Sequence, residues 1–155
     1  MNEDEILVEV KGLVPTPSGS GVFLSNDDKV IAIFVDPSVA AAITMFLQEI
    51  KKPRPLTHDL IGNILVGLGV VVQKVVINDL HDDTFFARLF LKQENDLGTN
   101  LIEVDARPSD SIAIAIQQDC PIYVHKKVWL QTEDMSWALK QATAEQEDDD
   151  EDEMF

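Results

Sequence analysis

Three short runs near the start of the chain, 6–10, 21–24 and 30–35, are almost entirely apolar. Short apolar runs of this kind are typical of strands when turn signals bound them, and the intervening segments are rich in Pro, Gly, Ser, Asn and Asp, which favour turns. After the third run the apolar spacing changes to three and four, which predicts an amphipathic helix. That helix must end before Pro53 and Pro55, because proline cannot continue it.

The second half of the chain repeats both patterns. A second helix is predicted from Thr57, whose hydroxyl would cap it, to a stop at Gly69. Further strands are predicted at 70–80, 85–91, 101–106 and 122–130. Between the last two, a helix that begins near Pro108 is small and apolar almost all round, which predicts deep burial.

The order of these elements predicts an α+β fold. We expect a mostly antiparallel or mixed β-sheet packed against three core helices, followed by a C-terminal surface helix. The expected divisions are a domain at 1–132, the surface helix at 133–144 and an acidic tail at 145–155.

A Pro-Ser pair follows a strand and opens a helix at two places, Asp36-Pro37-Ser38 and Arg107-Pro108-Ser109. The two segments are 71 residues apart, which is compatible with an internal duplication. The alternative is convergence, because proline and serine are both favourable at a helix start.

Net charge first argues against binding to a phosphate backbone. The chain has 155 residues, with 28 acidic and 12 basic side chains and a formal charge of −16. Half of that charge comes from eight carboxylates in residues 145–153, so the rest of the chain carries −8. The acidic run is predicted to be disordered. The remaining charge argues against a general nucleic-acid coat protein but is compatible with a local basic site.

The sequence pattern predicts neither a secretory signal nor a membrane-spanning segment. The first ten residues have neither a basic stretch nor an apolar core, and no apolar run approaches about 20 residues. We therefore expect a cytoplasmic protein without a membrane segment. Cys120 is the only cysteine, so no internal disulfide forms, and we expect a buried, reduced thiol.

Two segments, 54–59 and 105–110, carry the strongest candidate chemistry. Each puts an arginine, a hydroxyl and a carboxylate beside a predicted helix N-terminus. Free amides and the helix dipole attract anions there, and arginine can hold phosphate oxygens through two bonds. Two such segments facing one cleft would form a phosphate clamp. The alternative is structural: the carboxylates stabilise the helix starts, and each arginine pairs with a nearby carboxylate.

Histidine and carboxylates add two further hypotheses. His58 is the best general acid or base, because histidine titrates near neutrality, although its ring could instead bond a backbone carbonyl to fix the loop. Glu103 and Asp105 lie two apart on a strand, and Asp110 could join them beyond the turn. Such oxygen ligands suit Mg²⁺ or Mn²⁺. Carboxylates on a solvated strand face are the alternative.

Four stretches together resemble the bifunctional nuclease domain family. They are Arg54-Pro-Leu-Thr-His-Asp-Leu, Phe85-Phe-Ala-Arg, Val104-Asp-Ala-Arg-Pro-Ser-Asp-Ser-Ile-Ala-Ile-Ala-Ile and Pro121-Ile-Tyr-Val. The resemblance covers roughly residues 5 to 130 and leaves out the acidic run. It implies a compact α+β domain, often self-associated, with DNase and RNase activity. We therefore expect nucleic acid as the substrate and a homo-oligomer.

The resemblance and the residues together predict a phosphodiester-cleaving site. The expected catalytic residues are His58, Arg54, Arg107, Asp105 and Asp110. The expected substrate contacts are Thr57, Ser109, Lys51 and Lys52. A divalent ion, if one is used, would be held by Glu103, Asp105 and Asp110. Two other functions remain open: a non-enzymatic oligomeric interaction module, and a binding domain for a phosphorylated ligand that uses the same arginines without cleavage.

Overall fold

The computed structural model describes residues 3–153 of the chain. Its strands are β1 (Glu5–Thr16), β2 (Gly19–Ser25), β3 (Val30–Val35), β4 (Val70–His81), β5 (Thr84–Asn95), β6 (Gly98–Ala106) and β7 (Ile122–His125). Its helices are α1 (Pro37–Leu47), α2 (Thr57–Gly67), α3 (Pro108–Gln118), α4 (Lys126–Gln131) and α5 (Ser136–Glu153).

All seven strands belong to one mixed sheet in the order β3-β2-β1-β7-β4-β5-β6. Every neighbouring pair is antiparallel except β4 and β7, which are parallel. The short strand β7, from late in the sequence, separates β1 from β4. The predicted α+β class with a mostly antiparallel, mixed sheet is confirmed.

Three helices, α1, α2 and α3, cover the sheet and enclose the core. The central one is α3, which packs on α1 and α2 and on strands β4 and β5. Ser111, Ile112 and Ala113 are fully buried in α3, so the predicted deep burial of this helix is confirmed. The helix start at Pro108 is thereby held in a fixed place.

The last predicted strand is wrong beyond residue 125. The sequence indicates a strand at 122–130, whereas the chain turns into α4 at Lys126. The His125 ring accepts a hydrogen bond from the Lys127 amide at 3.1 Å and caps the helix. Val128 and Trp129 are buried. A short apolar run cannot distinguish strand from helix by periodicity, which explains the error.

The C-terminal region also differs from the prediction. Its helix begins at Ser136 rather than at 133 and continues through Glu153, where the sequence predicts a disordered tail from residue 145. Residues 138–147 are mostly Ala, Leu, Lys, Gln and Glu, which favour helix, and each added residue gains a backbone hydrogen bond. The last two predicted tail residues, 154 and 155, lie outside the described residues.

The outer edge of the sheet at β6 is open. Among residues 3–153 this strand pairs with β5 alone, and Leu101, Ile102 and Val104 are 73%, 41% and 38% exposed. Unpaired strand edges favour pairing with another chain. Homo-oligomer formation stays a prediction. Within residues 3–153, no helix combines the length and the apolar character needed to cross a membrane.

Candidate active site

A single hydrogen bond joins the two segments that the sequence singles out. His58, in the first turn of α2, lies with Nε2 2.9 Å from an Asp110 carboxylate oxygen in the first turn of α3. His58 is 9% exposed, and its backbone carbonyl accepts from the Gln117 side chain at 2.6 Å. The alternative in which the imidazole ring bonds a backbone carbonyl is therefore wrong.

Arg107 extends this contact to a third helix. Its Nε donates to Asp110 at 2.9 Å and its Nη1 donates to Asp36 at 3.2 Å. Asp110 is the main cause of a raised pKa of Arg107. Asp36 caps α1, accepting from the Val39 amide at 3.0 Å and the Ser38 hydroxyl at 2.7 Å. These bonds, the Val39 amide first, lower the pKa of Asp36.

Sequence reasoning missed Asp36 as a member of the site. The signal that was available is the repeated Pro-Ser pair, because Asp36 and Arg107 occupy equivalent positions before α1 and α3. The structure places these two helix starts side by side and links them through the ion pair.

The start of α3 lacks a side-chain cap. Arg107 occupies the cap position without bonding the helix amides. Within the described part of the chain, the amides of Ser109 and Asp110 have no acceptor. The Arg107 side chain is 61% exposed, and two of its five N–H groups are used by the carboxylates. Free amides beside an exposed cation form an electropositive site that favours an anion.

A cavity of about 440 Å³ opens at this place. It lies between the end of β3, the turn that joins β4 to β5, and the start of α3. Its polar wall consists of Asp36, Asp83, Thr84, Arg107 and Ser109. Such a volume is typical of small-molecule sites.

The loop before α2 holds the other predicted contacts. Arg54 and Lys51 are exposed, and within residues 3–153 neither makes a hydrogen bond or an ion pair. Thr57 is the first residue of α2 rather than its cap, so the predicted hydroxyl cap is wrong. The Asp59 carboxylate accepts from the Leu56 amide at 2.9 Å instead, as acidic residues favour a first turn.

Lys52 is held inside the protein rather than offered to a ligand. Its Nζ lies 2.8 Å from Asp59 and 4.4 Å from the centre of the Phe46 ring, and its side chain is 13% exposed. These contacts tie the loop to α1 and α2. They support a structural role, and the predicted substrate contact of Lys52 stays a prediction.

Acid is expected to weaken this ion pair. Lys52 is the main cause of a pKa of Asp59 below its ordinary 3.8. The folded pKa is therefore below the unfolded one, so the stabilisation is present above about pH 4 and lost as pH falls through the folded pKa. Asp59→Asn should lower the free energy of unfolding at pH 7, and the difference from wild type should be much smaller at pH 2. Urea denaturation at the two pH values measures this. An equal loss of unfolding free energy at both pH values would contradict this. Asp96→Asn, in an exposed turn, is the control.

The three predicted metal ligands are not brought together. Asp105 lies opposite Arg88 on β5, whose neighbour Ala87 is fully buried under the helices. Asp105 and Glu103 therefore point away from the helix layer, while Asp110 belongs to it. Among residues 3–153, no group of three or more His, Cys, Asp or Glu side chains is arranged to hold a metal ion. These residues do not form one ligand set, and a divalent-ion requirement stays a prediction.

The part of the chain that contains this site matches a known domain family. A model of the bifunctional nuclease domain matches residues 22–136, which include both arginine segments and the cavity. The chain belongs to the bifunctional nuclease domain family. The resemblance seen in the sequence is thereby confirmed, and the network at α2 and α3 lies inside the part of the chain that the family model matches.

The chain is similar to proteins of two kinds. An uncharacterized protein of Mycobacterium tuberculosis is 41% identical over 128 residues, which cover 80% of this chain and 74% of that protein. Bifunctional nuclease 1 of Oryza sativa subsp. japonica is 29% identical over 104 residues, covering 66% of this chain and 31% of its own length. Bifunctional nuclease 2 of Arabidopsis thaliana is 28% identical over 108 residues, 70% of this chain and 30% of its own.

Proposed function

We propose that this protein hydrolyses phosphodiester bonds in DNA, RNA or both, with the scissile phosphate held at the start of α3. The observation that carries the proposal is the uncapped N-terminus of α3 beside Arg107, at the mouth of a cavity. The plant relatives named bifunctional nuclease support the reaction class. A phosphate placed there would meet the amides of Ser109 and Asp110 and the guanidinium together.

Arg107 would stabilise the charge that develops on the phosphate in the transition state. Its guanidinium keeps three N–H groups free for this. Asp110 and Asp36 hold it from two sides, so little reorganisation is needed when charge develops. These carboxylates also explain how an acidic protein can build a phosphate site, because they orient a cation.

His58 would act as the base. If Nε2 donates to Asp110, the ring proton is fixed on that nitrogen, and Nδ1 is left as the acceptor. The side chain is 11% exposed and does not line the cavity. Proton transfer from the attacking water would therefore pass through one intervening water.

The exposed residues before α2 would contact the strand beside the scissile bond. Because His58 and Asp110 join the first turns of α2 and α3, Arg54 and Thr57 lie on the chain that leads directly to this junction. Arg54 would bind a neighbouring phosphate, with Lys51 adding positive potential. Asp105 lies on the other face of the sheet, so the structure supports no direct role for it at this phosphate.

The proposal is tested by a cleavage assay on wild type and the double variant His58→Ala, Arg107→Ala, each with and without EDTA. We expect single-stranded DNA or RNA to be cut by wild type and left intact by the double variant, because phosphate binding and proton transfer are both removed. Loss of wild-type activity in EDTA would show a divalent-ion requirement.

Equal cutting by both proteins would contradict the proposal, since it would indicate a contaminating nuclease. Salt-dependent binding without cleavage would instead identify a binding domain for phosphorylated ligands. A protein that neither binds nor cuts nucleic acid would be an interaction module.

A further inference from the structure

A second cavity continues the first one along β3. It has a volume of about 360 Å³, and it shares Asp83 and Phe85 with the 440 Å³ cavity as common walls. Gln131 and Thr132, at the end of α4, line its far end. The two cavities are therefore adjacent, and together they are called the cleft: it begins at Arg107 and runs away from it between β3 and the turn joining β4 to β5.

One side of this cleft is the free edge of β3. On this edge the Val30 amide donates to the Asp134 carboxylate at 3.1 Å, and the Val30 carbonyl accepts from the Met135 amide at 2.7 Å. In an antiparallel pair, alternate residues direct their N–H and C=O groups to the same edge. Ala32 and Phe34 therefore direct theirs into the cleft, which both residues line.

The opposite side carries a carboxylate that is available to a ligand. Asp83 has no hydrogen bond or ion pair in the described part of the chain. It sits in a tight turn with φ of 62°. Asp36, the other carboxylate near the cleft entrance, is already engaged with Ser38, Val39 and Arg107. Asp83 is thus a free acceptor beside the exposed edge; Glu133 in the second cavity is another, but Asp83 is the one that lines both cavities.

The two ends of the cleft therefore suit different parts of a nucleotide. The end at Arg107 attracts phosphate, whereas the Asp83 carboxylate repels phosphate and only accepts hydrogen bonds. A nucleobase with an exocyclic amino group supplies the donor that this carboxylate needs, as carboxylates accept from cytosine N4. A base with a carbonyl at that position, such as uracil, would present an acceptor to Asp83, and its carbonyl could bond only to the N–H groups of the β3 edge.

We propose that the cleft holds a nucleobase next to the bound phosphate, and that Asp83 selects bases with an exocyclic amino group. This inference rests on the proposed function and adds a sequence preference to it. An extended peptide pairing with β3 is less favoured, because Asp134 and Met135 already occupy one end of that edge and leave only Ala32 and Phe34 free.

The test compares binding of hexanucleotides of deoxycytidine and deoxyuridine, which differ in the group at position 4 of the base and in the hydrogen on N3, by calorimetry on the full chain. Wild type should bind the deoxycytidine hexamer more tightly by on the order of tenfold. Asp83→Asn, which suits the left-handed turn, should abolish or reverse that preference, because an amide also donates. Asp82→Asn, in the same turn but outside both cavities, should keep it.

Equal affinity for the two hexamers in wild type would overturn the base preference while leaving phosphodiester cleavage in place. An unchanged preference in Asp83→Asn would overturn the role of Asp83. If neither hexamer binds and neither is cut, the proposed function itself fails. If a peptide of random extended sequence displaces the deoxycytidine hexamer from wild type but not from Asp83→Asn, the cleft is a peptide site and the inference is wrong.

Discussion

Replacing Arg107 with alanine is expected to lower the rate of phosphodiester cleavage by on the order of a hundredfold or more. The guanidinium is the exposed cation at the uncapped start of α3. Its three free N–H groups are available to bind the substrate phosphate. Its loss also leaves Asp36 and Asp110 unneutralised beside the bound phosphate, which adds repulsion to the lost stabilisation. Steady-state cleavage of a fluorescent single-stranded oligonucleotide measures the effect.

Two controls separate catalysis from folding. Arg88→Ala removes an arginine on the opposite face of the sheet and should leave the cleavage rate unchanged. Arg107→Lys keeps the charge but not the planar fork that reaches Asp36 and Asp110 together, so it should recover only part of the rate. A fully active Arg107→Ala protein with wild-type thermal stability would remove Arg107 from the mechanism.

Replacing His58 with glutamine is expected to lower the maximal rate by roughly 10²- to 10⁴-fold, the usual range for a general base. Glutamine can still donate to Asp110 and so keep Arg107 in place, but it cannot take a proton. The acidic limb of the pH–rate profile should therefore disappear along with the rate. Single-turnover cleavage across a range of pH measures both effects.

The pattern of the loss distinguishes a base from a structural histidine. A base variant should bind the oligonucleotide normally, whereas a misfolded site would weaken binding as well. His81→Gln, at a histidine whose side chain is 78% exposed, should behave as wild type. If the pH–rate profile of His58→Gln has the wild-type shape and only the rate is lower, the histidine only positions Asp110.

Local patterns predicted most of the fold because local physics determines it. A short apolar run bounded by turn residues identified β3 to the residue, and the helix starts at Pro37 and Pro108 follow from proline chemistry. The pattern failed at α4, where burial of Val128 and Trp129 and the His125 cap outweigh strand propensity. The cap is local, but α4 packs on β4 and β1, which are far away in sequence, so no local window contains the burial of Val128 and Trp129.

The candidate site was predictable in its residues but not in their geometry. The two arginine segments were identified, yet the partner that joins Arg107 to α1, Asp36, lies 71 residues away. The metal hypothesis placed Asp110 with Glu103 and Asp105. Asp110 belongs to α3 rather than to β6, so the alternation of side chains along the strand does not determine its direction. Side-chain direction across a strand-to-helix turn depends on the tertiary placement of the helix.

The position of β7 has a consequence for how the chain matures during synthesis. The strands β1 to β3 and β4 to β6 meet only through Ile122–His125, which pairs with β1 on one side and β4 on the other. A ribosome-bound chain that lacks these four residues therefore holds two separate half-sheets with exposed inner edges. The sheet can close only after β7 has left the ribosome, and until then those edges are open to aggregation and to chaperones.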